Sequence, residues 1–406
     1  MNYTFSSKAK KFLGGLIIVG LLLTVLGYMT YEFDAAAEGA HVTWGSKMWS
    51  NLLANGFFFF GISLVALFFI AMQYAAEAAW ATVLKRIFEG VSIWLPIGSL
   101  VVLVAVVIGS MGHFYHWAHY NHLGLNFGDV GFDHLLDKKS AFLNSGVVIG
   151  GVALFLALYN FYHRKFLKRT DEEDNEGGLD YHKKNIKTSA IFLVIFGFTS
   201  VVLIWMVLMS IDAHWFSTLY EWYVFAGMWI SFITITYMII NYLKGQGALD
   251  FVHASHMHDM GKWMFALSFL WSYLFFCQFL LIWYSNIPEE VTYYLARIQD
   301  YPVLFWGIFV INMAFPMLLL MDKDAKVNKI VVTIVGLIIF FGHYLDTWLM
   351  ITPGVMKQHG SFGMFEMGMF LLFLGAFLYV ILSRISKKPL MVKNHPFLEE
   401  SKNLGH

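Results

Sequence analysis

The residues of this chain best suited to chemistry are histidines and carboxylates at short spacings. In GHYLDTW (342–348), His343 and Asp346 stand three apart, so on a helix they share one face. A carboxylate beside an imidazole raises its proton affinity, and such a pair takes, holds and passes protons near neutral pH. The alternative is an interhelical hydrogen bond that only holds helices together. In SIDAHWFSTLYEWYVFAG (210–227), Asp212 and His214 are two apart. A regular helix aims them in different directions, and a break there lets both point inward. GHFYHWAHYNH (112–122) carries His113, His116, His119 and His122. On a continuous helix each step of three turns by about 60°, so the four spread over half the surface. That suits capping of a helix end better than one metal, with proton chemistry at His113 or His116 as the alternative. A second group lies elsewhere: Glu77, four residues after Gln73, and Glu89, both candidates for proton entry. HASHMHDMGKW (253–263) has the spacing H-x-x-H-x-H but not the helix-borne carboxylate of a zincin. It reads as a solvated or subunit-facing helix start, and no metal site is predicted.

These groups need a scaffold, and the sequence supplies an apolar one. Ten stretches of about twenty residues, the length that crosses a bilayer core, occupy 12–31, 51–72, 91–111, 141–162, 188–209, 223–243, 263–284, 301–321, 329–350 and 364–383. Of the 27 Lys and Arg, 22 fall at the termini or in and at the edge of the even-numbered loops, and five in the odd ones. The positive-inside rule then puts both termini in the cytoplasm. Hydrophobic residues make up 58% of the chain and charged ones 13%, too few to coat a soluble protein of 406 residues. The net charge of zero says nothing about partners, because charge is segregated by side. One cysteine, Cys277, excludes disulfides within the chain and any cluster held by several thiolates. Lys8, Lys10 and Lys11 before an apolar run imitate a signal peptide, with Ala35-Ala36-Ala37 as its cleavage site. The run is too long for a usual signal core and reads as a retained anchor.

The expected fold is an all-α integral membrane protein, a single membrane domain over 1–406. Spans 2–5 (51–209) and 6–9 (223–350) form two four-helix bundles, with spans 1 and 10 peripheral. The stretch 164–187, with basic ends and an acidic Gly-containing middle, is expected to be a solvated cytoplasmic linker. The stretch 112–140 is expected to be a long periplasmic loop. Ser268, Gln278, Asn312 and Thr333 lie near span midpoints, where they suit water chains or ordinary helix packing. Ten spans with buried ionisable groups also describe a stand-alone secondary transporter. That class usually breaks its helices with Gly and Pro near the midplane, and only seven prolines occur. A haem–copper oxidase core needs several mid-membrane histidines, whereas these cluster at span ends.

The segment SIDAHWFSTLYEWYVFAGMW (210–229) resembles the polysulfide-reductase, or NrfD-like, membrane subunits. Together with HDMGKWMFALSFLWSYLFFCQFLLIWYSNIPEE (258–290) and GHYLDTW, it resembles the F subunits of bacterial alternative complex III. The likeness runs over nearly all ten spans; the two longer strings are distinctive and GHYLDTW alone is weak. The resemblance implies a multi-pass subunit in the bacterial inner membrane. It implies as partners a sister NrfD-like subunit, multihaem c-type cytochrome and iron–sulfur subunits, a terminal oxidase in some assemblies, and lipids, with no nucleic acid. Such a complex passes electrons from quinol to cytochrome c or an oxidase. In the family, quinol oxidation is attributed mainly to the sister subunit, and assembly and proton conduction to the F subunit. The resemblance thus implies no cofactor held by this chain, with quinol as the one candidate ligand, and haem c and iron–sulfur clusters in partners. In keeping with that, the sequence has no C-x-x-C-H motif. Carried onto this sequence, the resemblance assigns Asp212, His214, His343 and Asp346 to a periplasmic polar pocket, with His113 and His116 as additions. Glu77 and Glu89 fall to a cytoplasmic half-channel.

Overall fold

The computed structural model describes residues 3–31, 42–125, 127 and 129–404; the Ala35-Ala36-Ala37 stretch lies outside them. Among the described residues, ten helices are long and apolar enough to cross a membrane. We number them α1 (Ser7–Thr30), α2 (Trp44–Ala75), α3 (Thr82–His113), α4 (Ser145–Glu176), α5 (Leu179–Val207), α6 (Tyr220–Gly245), α7 (Ala254–Ser285), α8 (Pro302–Leu319), α9 (Lys329–His359) and α10 (Met364–Ile385). Polar residues start several of them. Ser6, Thr43, Asn144 and Asn328 each accept a hydrogen bond from a first-turn backbone N–H, which the helix itself cannot satisfy.

The even-numbered loops meet at one end and the odd-numbered at the other. At the odd-loop end, Lys139 Nζ donates to Ala213 O at 2.6 Å and Tyr31 Oη to His359 O at 2.9 Å. At the even-loop end, the segment after α10 folds back over the mouth. Its Ser401 Oγ donates to Trp80 O at 3.0 Å, while His256 Nε2 lies 2.9 Å from Ser401 O. His256 is therefore buried and engaged at the start of α7, rather than solvated as H-x-x-H-x-H suggested.

Helix α2 is central, packing against α3, α5, α6, α9 and α10. Helix α4 packs on α3 and α5; α7 and α9 pack on α6, and α8 on α7 and α9. Helices α1 and α10 form a close pair. A Cβ at Gly20, Gly27 or Gly368 would collide with the backbone of Leu372, Phe365 or Thr24, so glycine lets the two backbones touch.

Two expected loops are largely helical. In 164–187 only Gly177 (φ +71°) and Gly178 (φ +89°) interrupt the chain between α4 and α5. Lys, Arg and Glu are good helix formers, so the charged run extends the helices beyond the membrane until glycine ends them. In 112–140, Gly112 (φ +90°) stops α3 and short helices follow at His116–Leu123 and His134–Lys139. The four histidines therefore do not share one continuous helix.

Candidate functional site

A buried polar site lies where α6, α7 and α9 meet toward the odd-loop end. His343 and Asp346 are both buried. Asp346 accepts two hydrogen bonds: Tyr223 of α6 donates to Oδ1, and Trp271 Nε1 of α7 donates to Oδ2 at 3.2 Å. The His343 ring meets the same indole edge-on, with centroids 5.1 Å apart and planes at 84°. The shared helix face thus brings both residues to Trp271. It does not make the expected imidazole–carboxylate pair, because Tyr223 and Trp271 take the carboxylate. Both ring nitrogens of His343 are buried without a protein partner.

The other half of the site comes from a residue the sequence reading passed over. Between α7 and α8 the helix Pro288–Asp300 buries Arg297, which lies 3.1 Å from Asp212 Oδ2. The guanidinium also donates to Tyr293 O (2.8 Å), Leu349 O (3.2 Å) and Met350 O (2.9 Å). The Leu349 carbonyl is free for a local reason. Pro353, four residues on inside α9, has no N–H to reach it, and Arg297 supplies the missing donor. Burial opposes the charge on Arg297, but Tyr293 and Asp212 outweigh it and raise the pKa. The guanidinium lies 3.3 Å over the Tyr293 ring, which stacks on Trp215.

Tyr223, Gln278, Arg297 and Asp346 line a cavity of about 20 Å³. Roughly 10–15 Å³ suffices for a water molecule. The void suits water and proton exchange and is too small for a quinol ring. Ser268, Gln278 and Asn312 also bury polar side-chain atoms that lack a protein partner. Thr333, by contrast, spends its hydroxyl on Lys329 O at 2.6 Å, as packing glue does.

The expected pocket therefore divides. Arg297, paired with Asp212, lines the same cavity as Asp346, and His343 meets the Asp346 partner Trp271, but His214 sits at the surface. His214 Nε2 lies 2.5 Å from Asp133 Oδ2, and its ring centroid is 5.6 Å from that of His116. Burial acts to raise the Asp133 carboxyl; the His214 bond and the N–H groups of Leu136 and Leu135 outweigh it and hold the pKa below the usual range. Burial, then His214, lowers the imidazole of His116. His113 is exposed on the turn that ends α3.

Compared with known proteins, the chain matches no family model and no curated sequence.

At the even-loop end the two predicted carboxylates differ. Helix α2 stops at Ala75, and Ala78 N bonds back to Gln73 O at 3.0 Å while Glu77 takes a left-handed conformation (φ +48°). Glu77 is exposed and does not share a helix face with Gln73. Glu89 is buried, 2.6 Å from Arg86 Nη1. Arg86 also pairs with Asp174, and Lys85 pairs with Glu173 at 3.0 Å, so this cluster ties α3 to the end of α4. A further buried pair, Lys47–Glu366 at 2.7 Å, joins α2 to α10 near the odd-loop end. Arg86 and Glu89 stand three apart on one helix, but spacing gave no sign of the distant partners Asp174, Glu173 and Glu366; for the first two, opposite charges in the basic second loop and the acidic run 171–176 were the available hint.

Among the described residues, one group brings three residues able to ligate a metal together: Glu173, His182 and His395, with ligand atoms within 4.8 Å of one another. Its capacity is partly spent, although Glu173 Oε1 and both ring nitrogens of His182 are buried without a protein partner. Lys85 neutralises Glu173, and Phe397 N donates to His395 Nδ1 at 3.3 Å. The group reads as a clamp on the C-terminal segment.

Proposed function

We propose that this chain is an F-type membrane subunit of a quinol-oxidising respiratory complex of the alternative complex III kind. It lies in a bacterial cytoplasmic membrane, supports assembly, exchanges protons through Asp346 and carries no redox centre of its own. One observation carries the reading. The three segments that bear the family resemblance meet in one buried site: Tyr223 from the first, Trp271 and Gln278 from the second, His343 and Asp346 from the third, with Asp212 of the first at its partly exposed edge through Arg297. A carboxylate buried in a spanning helix is costly and is a functional candidate by default.

The packing supports the finer architecture in this reading: α2–α5 as one four-helix bundle, α6–α9 as the second, and α1 with α10 outside. The distribution of Lys and Arg supports cytoplasmic termini. The water-sized void supports proton rather than quinol chemistry here, which leaves quinol oxidation to the sister subunit. Haem c and iron–sulfur centres belong to partner proteins, which hand electrons on to cytochrome c or a terminal oxidase.

The test is gentle solubilisation of native membranes with the C-terminus tagged, followed by spectra and subunit identification. Reduced c-type haem bands with an iron–sulfur protein and a second NrfD-like chain are the expected result. A colourless protein purifying alone, under conditions that preserve other respiratory complexes, overturns the proposal and favours a transporter.

A further inference from the structure

A wide cavity serves neither the Asp346 site nor the ion clusters. It is a groove of about 470 Å³ between α1 on one side and α6, α9 and α10 on the other, in the size range of small-molecule sites. Its origin is in the packing already described. The glycines draw α1 tightly onto α10, so α1 leans away from α6 and α9 and leaves a wedge beside them.

The wedge is graded from polar to apolar. Lys8, Ser6, Tyr242 and Gln246 line its even-loop end, and Leu337, Phe340 and Leu374 line its deep end. Tyr3 crosses the mouth, its hydroxyl 3.2 Å from that of Tyr242. On α6 the lining runs from Gln246 down to Ile235. At 1.5 Å per residue that is roughly 16 Å, against about 15 Å for half of a bilayer's hydrocarbon core. The groove is as deep as one leaflet, apolar over the depth of an acyl chain, and cationic where a headgroup would sit. Lys8 is followed by Lys10 and Lys11, and a cytoplasmic leaflet is the anionic one.

We propose that this groove holds one anionic glycerophospholipid, an acyl chain between α1 and α6 and its phosphate at Lys8, Ser6, Tyr242 and Gln246. The lipid fills the wedge and fixes the α1–α10 pair against the second helix group. The proposal does not depend on the respiratory reading, because it concerns the isolated chain.

The full-length chain is exchanged into nanodiscs of phosphatidylcholine and phosphatidylglycerol, returned to detergent, delipidated and weighed by native mass spectrometry. The expected result is one retained phospholipid, with phosphatidylglycerol favoured about fivefold for each surface lysine engaged. Lys8→Glu should abolish that preference. Leu337→Trp places an indole in the groove from a position that is 57% exposed, so folding is spared. It should remove the retained lipid with circular dichroism unchanged, and Met238→Trp repeats the test from α6. No retained lipid in the wild type, retention undiminished in both tryptophan variants, or an unchanged preference in Lys8→Glu overturns the proposal. So does a quinone, rather than a phospholipid, in the organic extract of the retained species.

Discussion

Asp346→Asn isolates the proton from the packing. Asp346 accepts from Tyr223 and from Trp271. Asparagine keeps one acceptor oxygen, while its amide turns a donor toward a donor. One buried hydrogen bond is lost, which costs about 1–3 kcal/mol. Domain stabilities of about 5–15 kcal/mol absorb that loss, so the variant should fold, assemble and melt a few degrees lower. What it cannot do is take a proton. If Asp346 exchanges protons during turnover, quinol-driven proton release should fall at least tenfold, equivalent to about 1.4 kcal/mol on the barrier. Asp346→Glu, which restores a titratable group, should recover part of the rate. The assay reconstitutes the complex in proteoliposomes and follows electron transfer by absorbance and proton release with a pH dye. Normal turnover and normal proton release, in vesicles shown to contain the variant subunit, would remove Asp346 from any proton route.

Three other perturbations test the surrounding reasoning. Arg297→Met strips Asp212 and two α9 carbonyls of their donor, and breaking such a buried pair should cost about 3–5 kcal/mol in thermal or denaturant unfolding; Arg297→Lys should not restore it, since an ammonium cannot reproduce the fork. His395 is pushed down to about 2 by burial, then by Lys85 and His182, while a released tail titrates at the ordinary 6.5. The released state therefore binds a proton that the docked state refuses: docking is strongest above pH 6.5 and weakens as pH falls toward the docked value, which hydrogen exchange of the C-terminal segment should report. Glu77→Gln should leave proton-to-electron stoichiometry unchanged, because the side chain is exposed and off the helix, whereas Glu77→Gly should raise stability by about 1 kcal/mol by relieving a left-handed residue, measured as a higher melting temperature.

Element identity was legible because it rests on local composition. Twenty apolar residues in a row have one stable solution in a bilayer, and all ten predicted spans overlap helices of the structure. Helix ends were less legible: α4 runs on through charged residues to Glu176, since the membrane boundary is a change of solvent and the backbone does not end there. The site was half legible. His343 and Asp346 announced themselves by spacing on one helix, and both do meet Trp271. Arg297 did not, because its acceptors arise from a proline 56 residues away, Tyr293 four positions back and Asp212 before α6. The grouping of His214 with Asp346 failed because proximity in sequence to Asp212 says nothing about which side of a turn faces the protein.

The distribution of buried polar groups bears on the kind of proton movement this chain can support. Toward the odd-loop end, Asp212, Arg297, Tyr223, Asp346 and Gln278 form or line a connected polar site, with His343 against Trp271. One turn nearer the even-loop end, Phe340 of α9 packs on Phe58 and Phe59, within a run of four phenylalanines (57–60) that α2 carries into the centre of the molecule. Tyr344, beside His343, packs on Phe58 and Phe370 as well. The polar residues of the even-loop end, Lys85, Arg86, Glu89 and Glu173, lie across this aromatic layer on α3 and α4 and are consumed in ion pairs. A proton passing between α2 and α9 would meet these close-packed rings, among which the Tyr344 hydroxyl, buried without a partner, is the one polar group. Toward the odd-loop face, Asp346 and Arg297 share the water-sized void, and Arg297 pairs with the partly exposed Asp212. That asymmetry suits the proposed exchange of protons at one face better than a transporter, which must open its central site to both faces in turn.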